Sequence, residues 1–326
     1  MTKLRIKRTL QPLVDGDKIL FGIGNLGLRR TIPNIPENIE MLKFLNGEIS
    51  RDQVKLSDSQ VMDKIDQLKN LGVLTTNDYS DSPRYSRNET FFEWMDMSSN
   101  VNPYNYQEKL FKSKVVVLGV GGIGCAVAEH LVRAGIKKIK LVDFDVIEES
   151  NLTRQTTYFE DDIGKSKLDV CKKYLLKIDS KIHVETIKQK ISNYEDLEKI
   201  INKEDSLIIN SMDKPAKLDN WVDSVSNKYN VPVVFGSYAA TATNVYPKVP
   251  KLSIDYGDFL GEEQITEDCI IDNTFPMGTL SSVTAVAAGF VSYTAIMMLT
   301  GLRTPKEGVQ MDFDGWTIYK FPNHKR

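Results

Sequence analysis

Residues 114–145 read KVVVLGVGGIGCAVAEHLVRAGIKKIKLVDFD, and this stretch decides the fold. The apolar run at 115–118 is typical of a strand buried on both faces of a parallel sheet. A glycine-rich turn follows, then apolar residues at helical spacing up to Gly135, and then a second apolar run that ends in Asp143. The pattern predicts a βαβ unit, the building block of a doubly wound α/β sheet.

The turn inside this unit predicts a nucleotide site. Its glycines are Gly119, Gly121, Gly122 and Gly124. Glycines let the backbone approach a phosphate closely, and the N-terminus of the next helix offers unpaired N–H groups to an anion. Asp143 stands where a carboxylate accepts hydrogen bonds from ribose hydroxyls. We therefore favour a nucleotide site over a purely structural βαβ turn.

The composition excludes several classes of function. A net charge of −2 over 326 residues lacks the basic surplus of a nucleic-acid binder. The three cysteines, Cys125, Cys171 and Cys269, are far apart and form no C-x-x-C pair, which favours a reducing compartment and argues against a cysteine zinc site. The N-terminus carries charges where a signal peptide needs an apolar core, so we predict a cytoplasmic protein.

An uncharged segment near the C-terminus is long enough to cross a bilayer. Residues 273–302 contain no Asp, Glu, Lys or Arg. They are nevertheless rich in serine, threonine, alanine and glycine, which favours a helix buried in protein. We interpret residues 279–301 as a buried helix at the interface of a homodimer, and we expect no membrane partner.

Two domains are predicted, at 1–80 and 81–326. In the first, strands around Asp15-Gly16 precede two short amphipathic helices and a further strand, which suggests a winged-helix-like α+β module. The polar run at 75–87 is the predicted linker. In the second, strands and helices alternate to residue 235, and antiparallel strands with a C-terminal hairpin extend the mostly parallel, Rossmann-like sheet.

Charged side chains downstream of the βαβ unit indicate more than a dinucleotide site. Arg154 and Lys167 would lie near the C-terminal edge of the sheet, where cations can neutralise a triphosphate and a leaving pyrophosphate. Asp213 follows a buried strand and is placed to hold Mg²⁺. Taken singly, Lys165 and Lys167 are equally compatible with solvated surface charges. An NAD oxidoreductase, which needs little beyond the glycine turn and Asp143, is disfavoured by these groups.

Five motifs occur together and in a fixed order. They are RYxR at 84–87, GxGGxG at 119–124, DxD with NLxRQ at 143–155, GKxK at 164–167 and the aspartate of SMD at 213. In order and spacing they resemble the ThiF/MoeB and ubiquitin-activating-enzyme superfamily, over roughly residues 84–303. The resemblance implies AMP-forming activation of a carboxylate, with ATP and Mg²⁺ as cofactors.

The resemblance also implies roles for individual residues. Asp143 would hold the ribose, Asn151 and Arg154 the phosphates, Lys167 the α-phosphate region and Asp213 the Mg²⁺. The glycines of the turn, Asp145 and Gln155 complete the implied nucleotide site. Arg87 would reach the phosphates bound by the partner subunit of a homodimer. The implied catalytic residues are Arg87, Arg154, Lys167 and Asp213.

Within the superfamily, the chain looks most like enzymes that adenylate the microcin C precursor peptide. Those enzymes also place a small peptide-clamp domain before RYSR and contain NLTRQ, as here at 151–155. The resemblance implies that residues 1–80 recognise a ribosomal precursor peptide by adding a strand to a sheet edge. The paired C-x-x-C zinc ligands of most relatives are missing, and residues 246–261 stand where the first pair would be. We therefore expect no structural zinc.

Several alternatives remain open at this level. The enzyme could condense glutamate side chains, as in pantocin biosynthesis, or it could activate the C-terminus of a ubiquitin-like sulfur carrier. A non-catalytic peptide-binding scaffold is disfavoured because every position of the implied ATP site is filled. Cys269 lies in a loop before the apolar helix, where ubiquitin activators carry a reactive thiol, but no histidine or cation is patterned around it, which favours an incidental cysteine.

Overall fold

The structure is a computed structural model, and it describes residues 4–76, 83–98, 102–260 and 278–323. The chain divides into two compact units, Met1–Glu108 and Lys109–Arg326. The domain boundary predicted between residues 80 and 81 stays a prediction, because compactness alone does not show which segment folds independently.

The first unit contains two small antiparallel sheets. Its strands are β1 (Arg5–Ile6), β2 (Leu13–Asp15), β3 (Lys18–Phe21), β4 (Arg30–Pro33) and β5 (Leu74–Thr75). Strand β1 pairs with β5, and the other three form a sheet in the order β2-β3-β4. Lys18 begins β3 directly after the turn at Gly16, whose φ is +57°. Glycine accepts this left-handed conformation without strain, which explains why the Asp15-Gly16 pair predicts a hairpin turn at this point.

Helices complete the first unit. They are α1 (Pro36–Asn46), α2 (Asp58–Asn70), α3 (Ser86–Met95) and α4 (Pro103–Lys112), the last of which continues into the second unit. A capping box between Ser57 and Gln60 starts α2. Apolar side chains of α1 and α2, among them Met41 and Leu68, pack with Phe21 in one core. The predicted winged-helix class of this region stays a prediction. The predicted linker at 75–87 is wrong at both ends, because Thr75 still belongs to β5 and Ser86 already begins α3.

The second unit is built around one eight-stranded sheet. Its strands are β6 (Lys114–Leu118), β7 (Lys138–Asp143), β8 (His183–Lys188), β9 (Leu207–Asn210), β10 (Val233–Ala239), β11 (Ala242–Lys248), β12 (Glu307–Asp312) and β13 (Thr317–Pro322). Their order is β13-β12-β11-β10-β9-β6-β7-β8. Neighbours from β10 through β8 run parallel, and β11, β12 and β13 continue the sheet antiparallel. The predicted α/β fold is thereby confirmed.

Helices cover both faces of the parallel part. They are α5 (Gly124–Ala134), α6 (Lys167–Ile178), α7 (Tyr194–Ile200), α8 (Leu218–Tyr229), α9 (Tyr256–Leu260) and α10 (Ser281–Thr300). Side chains of α7 and α8 pack on Val116 and Leu118 of β6, while the alternating Val115 and Val117 point to the other face. All four are fully buried. At about 1.5–3 kcal/mol each, their burial is comparable to the whole net stability of a typical domain, so the apolar run specifies a central strand.

Helix α10 is long and apolar enough to cross a membrane by length and composition. Half of its most apolar window is buried inside the protein, where the helix packs against α5, β10 and β11. Val291 lies so close to Gly236 of β10 that a side chain at position 236 would collide with it. The helix therefore forms part of the core of this unit. Its role at a subunit interface and the cytoplasmic location of the protein stay predictions.

Candidate functional site

The glycine turn connects β6 to α5 at the C-terminal edge of the parallel strands. Gly119 has φ +83°, a conformation that residues with side chains rarely adopt. A Cβ on Gly124 would collide with the carbonyl oxygen of Gly119, so the turn closes tightly over the start of the helix. A Cβ on Gly121 would lie 3.9 Å from Gln155 Nε2, and one on Gly122 would lie 3.4 Å from Thr284 Cγ2. The sequence requirement for glycine therefore has two causes, backbone conformation and lack of space.

Hydrogen bonds from three other segments hold the turn in place. The backbone N–H of Val120 donates to Asp143 Oδ2 at 2.8 Å, and the hydroxyl of Tyr158 donates to the carbonyl of Val120 at 2.7 Å. Ser211 Oγ donates to the carbonyl of Leu118 at 2.9 Å. Burial raises the pKa of the Tyr158 hydroxyl far above its ordinary value, so this donor stays protonated. The turn is thus a rigid platform before any ligand arrives.

Asp143 has a structural task that sequence reasoning missed. Its Oδ1 accepts hydrogen bonds from the backbone N–H groups of Phe144 and Asp145, at 2.7 and 2.9 Å, in addition to the bond from Val120 to Oδ2. The side chain is 5% exposed. A carboxylate has about four acceptor positions, so the remaining capacity lies on Oδ2. The predicted ribose contact stays a prediction and would have to use that oxygen.

The two neighbouring lysines of the GKSK motif differ sharply. Lys167 begins α6, its side chain is 8% exposed, and its Nζ lies 2.8 Å from Asp145 Oδ2. Lys165 is 55% exposed and pairs with Asp162 on the surface. The pair of Lys167 with the 45% exposed Asp145 contributes little net stability, because burying the ammonium group costs desolvation energy that offsets the attraction. Stability is therefore a weak reason for burying Lys167 beside the glycine turn, which favours a role in binding an anion.

Asn151 ends a short 3-10 helix, Glu149–Asn151, and Arg154 and Gln155 follow it. Asn151 is buried, and its Oδ1 accepts a hydrogen bond from the backbone N–H of Glu148 at 3.1 Å. Gln155 is also buried and faces Gly121, and its Oε1 has no hydrogen-bond partner among the described residues. An unsatisfied buried acceptor costs about 1–3 kcal/mol unless a ligand or water supplies a donor.

Arg154 is held at two of the three nitrogens of its guanidinium group. Its Nε donates to the hydroxyl of Tyr238 at 3.2 Å, and its Nη1 donates to the carbonyl of Ser150 at 3.0 Å. Its Cγ lies 3.7 Å from the position that a Cβ on Gly122 would occupy. The guanidinium group thus belongs to the wall beside the glycine turn.

A second acidic residue accompanies Asp213. Asp213 is exposed just beyond the end of β9, and Asp219 lies in the first turn of α8. Asn210 Nδ2 donates to Asp219 Oδ1 at 2.5 Å, and the hydroxyl of Tyr256 also hydrogen-bonds to Asp219. Burial raises the pKa of Asp219 to about 6, these two hydrogen bonds oppose the rise, and the charge of Asp213 adds to it. Sequence reasoning missed Asp219. The available signal was an acidic residue at the start of the predicted helix that follows Asp213.

The structure also describes Arg87 and two of the three cysteines. Arg87 is in the first turn of α3, within the first compact unit. Cys125 and Cys171 are buried, and burial raises the pKa of both thiols, which agrees with packing roles. Cys269 lies outside the described residues. Among the residues that the structure describes, no three His, Cys, Asp or Glu side chains cluster as metal ligands. The expectation of no structural zinc stays a prediction.

Comparison with known proteins gives a consistent result. The ThiF family matches residues 85–325. An adenylyltransferase and sulfurtransferase of Meyerozyma guilliermondii is 28% identical over 61% of this chain and 44% of its own length. The molybdopterin-synthase adenylyltransferase of Escherichia coli is 26% identical over 66% of this chain and 84% of its own length. The chain thus spans less than half the length of the first of these relatives.

Solved structures match over nearly the whole chain. MccB of E. coli, crystallised with ATP, is 27% identical at a TM-score of 0.86, over 99% of this chain and 97% of that chain. MccB has also been solved with MccA, and it is described as a microcin C7 biosynthetic enzyme. At 99% coverage of this chain, the match to these structures includes the first unit as well as the second.

Proposed function

This chain belongs to the ThiF family, and from that premise we propose that it uses ATP to adenylate a carboxylate of a ribosomally synthesised precursor peptide during natural-product biosynthesis. The relatives named above are adenylyltransferases, as predicted. The observation that carries the peptide substrate is the match to MccB over 99% of the chain, because that match includes the N-terminal unit. MccB structures hold ATP and MccA, and we extend both ligand classes to this chain.

The proposed reaction needs positive charge more than acid–base chemistry. An ionised peptide carboxylate oxygen forms a bond to the α-phosphorus of ATP, and the bond from that phosphorus to the bridging oxygen of pyrophosphate breaks. Lys167 neutralises charge at the α-phosphate, and Arg154 neutralises charge on the phosphates over the glycine turn. Gln155 Oε1 is available to accept a hydrogen bond from the nucleotide. The products are an acyl-adenylate and pyrophosphate.

Mg²⁺ fits the carboxylates at the end of β9. The ion prefers oxygen ligands and is commonly held by one or two carboxylates together with substrate phosphates, so a cluster of three protein ligands is not required. The exposed Asp213 would hold it, with Asp219 adding negative charge nearby. Bound Mg²⁺ would supply charge neutralisation for the pyrophosphate that leaves. Asp219, through Asn210, fixes the start of the segment that carries Asp213.

A shared site in a homodimer is the proposed assembly. Arg87 lies in the RYSR segment, for which the family resemblance implies a contact with the partner subunit, and α10 keeps part of its surface uncovered. On that surface the side chain of Tyr293 is 47% exposed, in a helix without charged residues. An apolar helical face of this kind is suited to an isologous interface. Arg87 would then contact the phosphates bound by the partner subunit.

The products of ATP cleavage test the proposed reaction directly. With the cognate precursor peptide, found among the short reading frames beside the gene, we expect AMP and pyrophosphate in equal amounts. Radiolabelled ATP separated by chromatography distinguishes these products from ADP and phosphate. Formation of ADP, or tight binding of NAD without any effect of ATP, would contradict adenylation.

A ubiquitin-like sulfur carrier is the second candidate substrate. The observation in its favour is that the sequence relatives include the adenylyltransferases of molybdopterin synthase and of the sulfur carrier ThiS. The same product assay discriminates the two, with a sulfur carrier that ends in Gly-Gly offered in place of the precursor peptide. Turnover with the carrier and none with the peptide would reverse our choice.

Strand addition in the first unit can be tested at the two edges of the sheet β2-β3-β4. The two-residue turn between Asp15 and Lys18 makes these residues a hydrogen-bonded pair, so Val14 points its N–H away from β3. By the same alternation, Thr31 of β4 points its N–H to the opposite edge. Proline at Val14 or Thr31 therefore removes an outward donor and leaves the ladder to β3 intact.

We expect one of these proline variants to raise KM for the peptide about tenfold. The peptide would lose one backbone hydrogen bond at that edge and would clash with the proline ring. The other variant serves as the matched control, and KM for ATP should not change in either. Steady-state kinetics with the peptide varied at saturating ATP gives the answer. Unchanged peptide KM in both variants would remove the clamp from the proposal.

A further inference from the structure

Tyr238 occupies an unusual place in β10. The parallel pairing of β10 with β9 ends at Phe235, opposite Asn210, but β10 continues to Ala239 with β11 as its partner. This extension carries Tyr238 past the edge of the parallel sheet, where the glycine turn lies. Its hydroxyl oxygen is 3.6 Å from the position that a Cβ on Gly122 would occupy.

At that point Tyr238 meets Arg154. The hydroxyl oxygen accepts a hydrogen bond from Arg154 Nε at 3.2 Å, and Ser150 accepts one from Nη1 at 3.0 Å. The backbone of Arg154 is held too, because Thr284 Oγ1 donates to the Arg154 carbonyl at 3.4 Å. Two of the three guanidinium nitrogens are therefore fixed by protein. The third, Nη2, has no hydrogen-bond partner in the part of the chain that the structure describes.

We propose that Tyr238 is a positioning residue that fixes the plane of the Arg154 guanidinium group so that Nη2 points its donors at the phosphates bound over the glycine turn. A free arginine side chain loses about 2 kcal/mol of rotamer entropy when it is immobilised. Fixing Nε and Nη1 in advance removes much of this cost from the binding step. The inference rests on the proposed function, since it assigns the orientation of a residue that the proposed ATP site uses.

The test removes only the hydroxyl group. Tyr238→Phe keeps the ring, and Tyr319→Phe, at a half-exposed tyrosine of β13, is the matched control for losing a tyrosine hydroxyl. The probe is α,β-methylene ATP, which adenylation cannot cleave, and the measurement is its dissociation constant by titration calorimetry. We expect Tyr238→Phe to bind about tenfold more weakly than wild type, with melting temperature little changed, because part of the rotamer entropy of Arg154 is then lost in the binding step. Tyr319→Phe should bind like wild type.

A double-mutant cycle separates positioning from a structural effect. If Tyr238 acts through Arg154, then Tyr238→Phe should weaken binding no further in a protein that already carries Arg154→Ala. An equal loss in both backgrounds would overturn the inference, as would unchanged affinity in Tyr238→Phe. If wild type itself fails to bind the probe, the proposed function and this inference fall together. If wild type binds and Tyr238→Phe binds equally well, only this inference falls.

Discussion

Replacing Lys167 by alanine should slow AMP formation roughly 10²–10³-fold, whereas replacing Lys165 should change it less than about twofold. The two residues are both lysines, two positions apart, but only Lys167 is buried, at 8% exposure, and it reaches Asp145 beside the glycine turn. A buried cation stabilises developing charge more strongly than an exposed one, because it is less screened by solvent. Lys165, at 55% exposure, pairs with Asp162 on the surface.

Single-turnover AMP formation at saturating ATP and peptide is the measurement, because it isolates the chemical step from product release. Lys165→Ala is the matched control for the loss of one positive charge. The melting temperature of both variants checks the fold, and we expect it to move little because Asp145 stays solvated. If Lys167→Ala and Lys165→Ala form AMP at equal rates, Lys167 has no role in the reaction.

Mixing two inactive variants should restore about a quarter of wild-type activity if the active unit is a homodimer with shared sites. Arg87→Ala and Asp213→Ala would each inactivate both sites of their own homodimer. In a mixed dimer, the Arg87→Ala subunit keeps its Asp213 and receives Arg87 from its partner, which makes one live site. Random reassociation makes about half of the dimers mixed, and one of the two sites in each is live.

The matched control mixes Asp213→Ala with Lys167→Ala. Both residues lie in the second compact unit and would serve the site of their own chain, so this mixture should regain nothing. Subunits are dissociated in mild denaturant, combined in equal amounts, reassociated and assayed for AMP. If Arg87 acts within its own chain, the first mixture also stays inactive. Recovery in the control mixture would show that the subunits share more than Arg87.

Local patterns in the sequence were enough to predict the centre of the fold. The run at 115–118, the glycine turn and the helix that ends at Gly135 are each specified by neighbours within a few residues. Strand burial, left-handed glycine and helical periodicity are properties of such short segments. Because parallel strands place their C-terminal ends on one edge, the same patterns also predicted that Asp143 and Asp213 would follow strands of one sheet.

Only the tertiary structure decided what these side chains do to one another. The orientation of Arg154 depends on Tyr238, which is 84 residues away in the chain, and the turn is held partly by Asp143 and Tyr158. Taken singly, Lys165 and Lys167 were both compatible with surface charges, and only the family resemblance pointed to Lys167. The structure distinguishes them physically, because Lys167 is buried and Lys165 is exposed. Such partnerships arise from packing between distant segments, which leaves no periodic trace in the sequence. Residue types and strand ends follow from local propensity, whereas the charge, exposure and direction of a side chain follow from its neighbours in space.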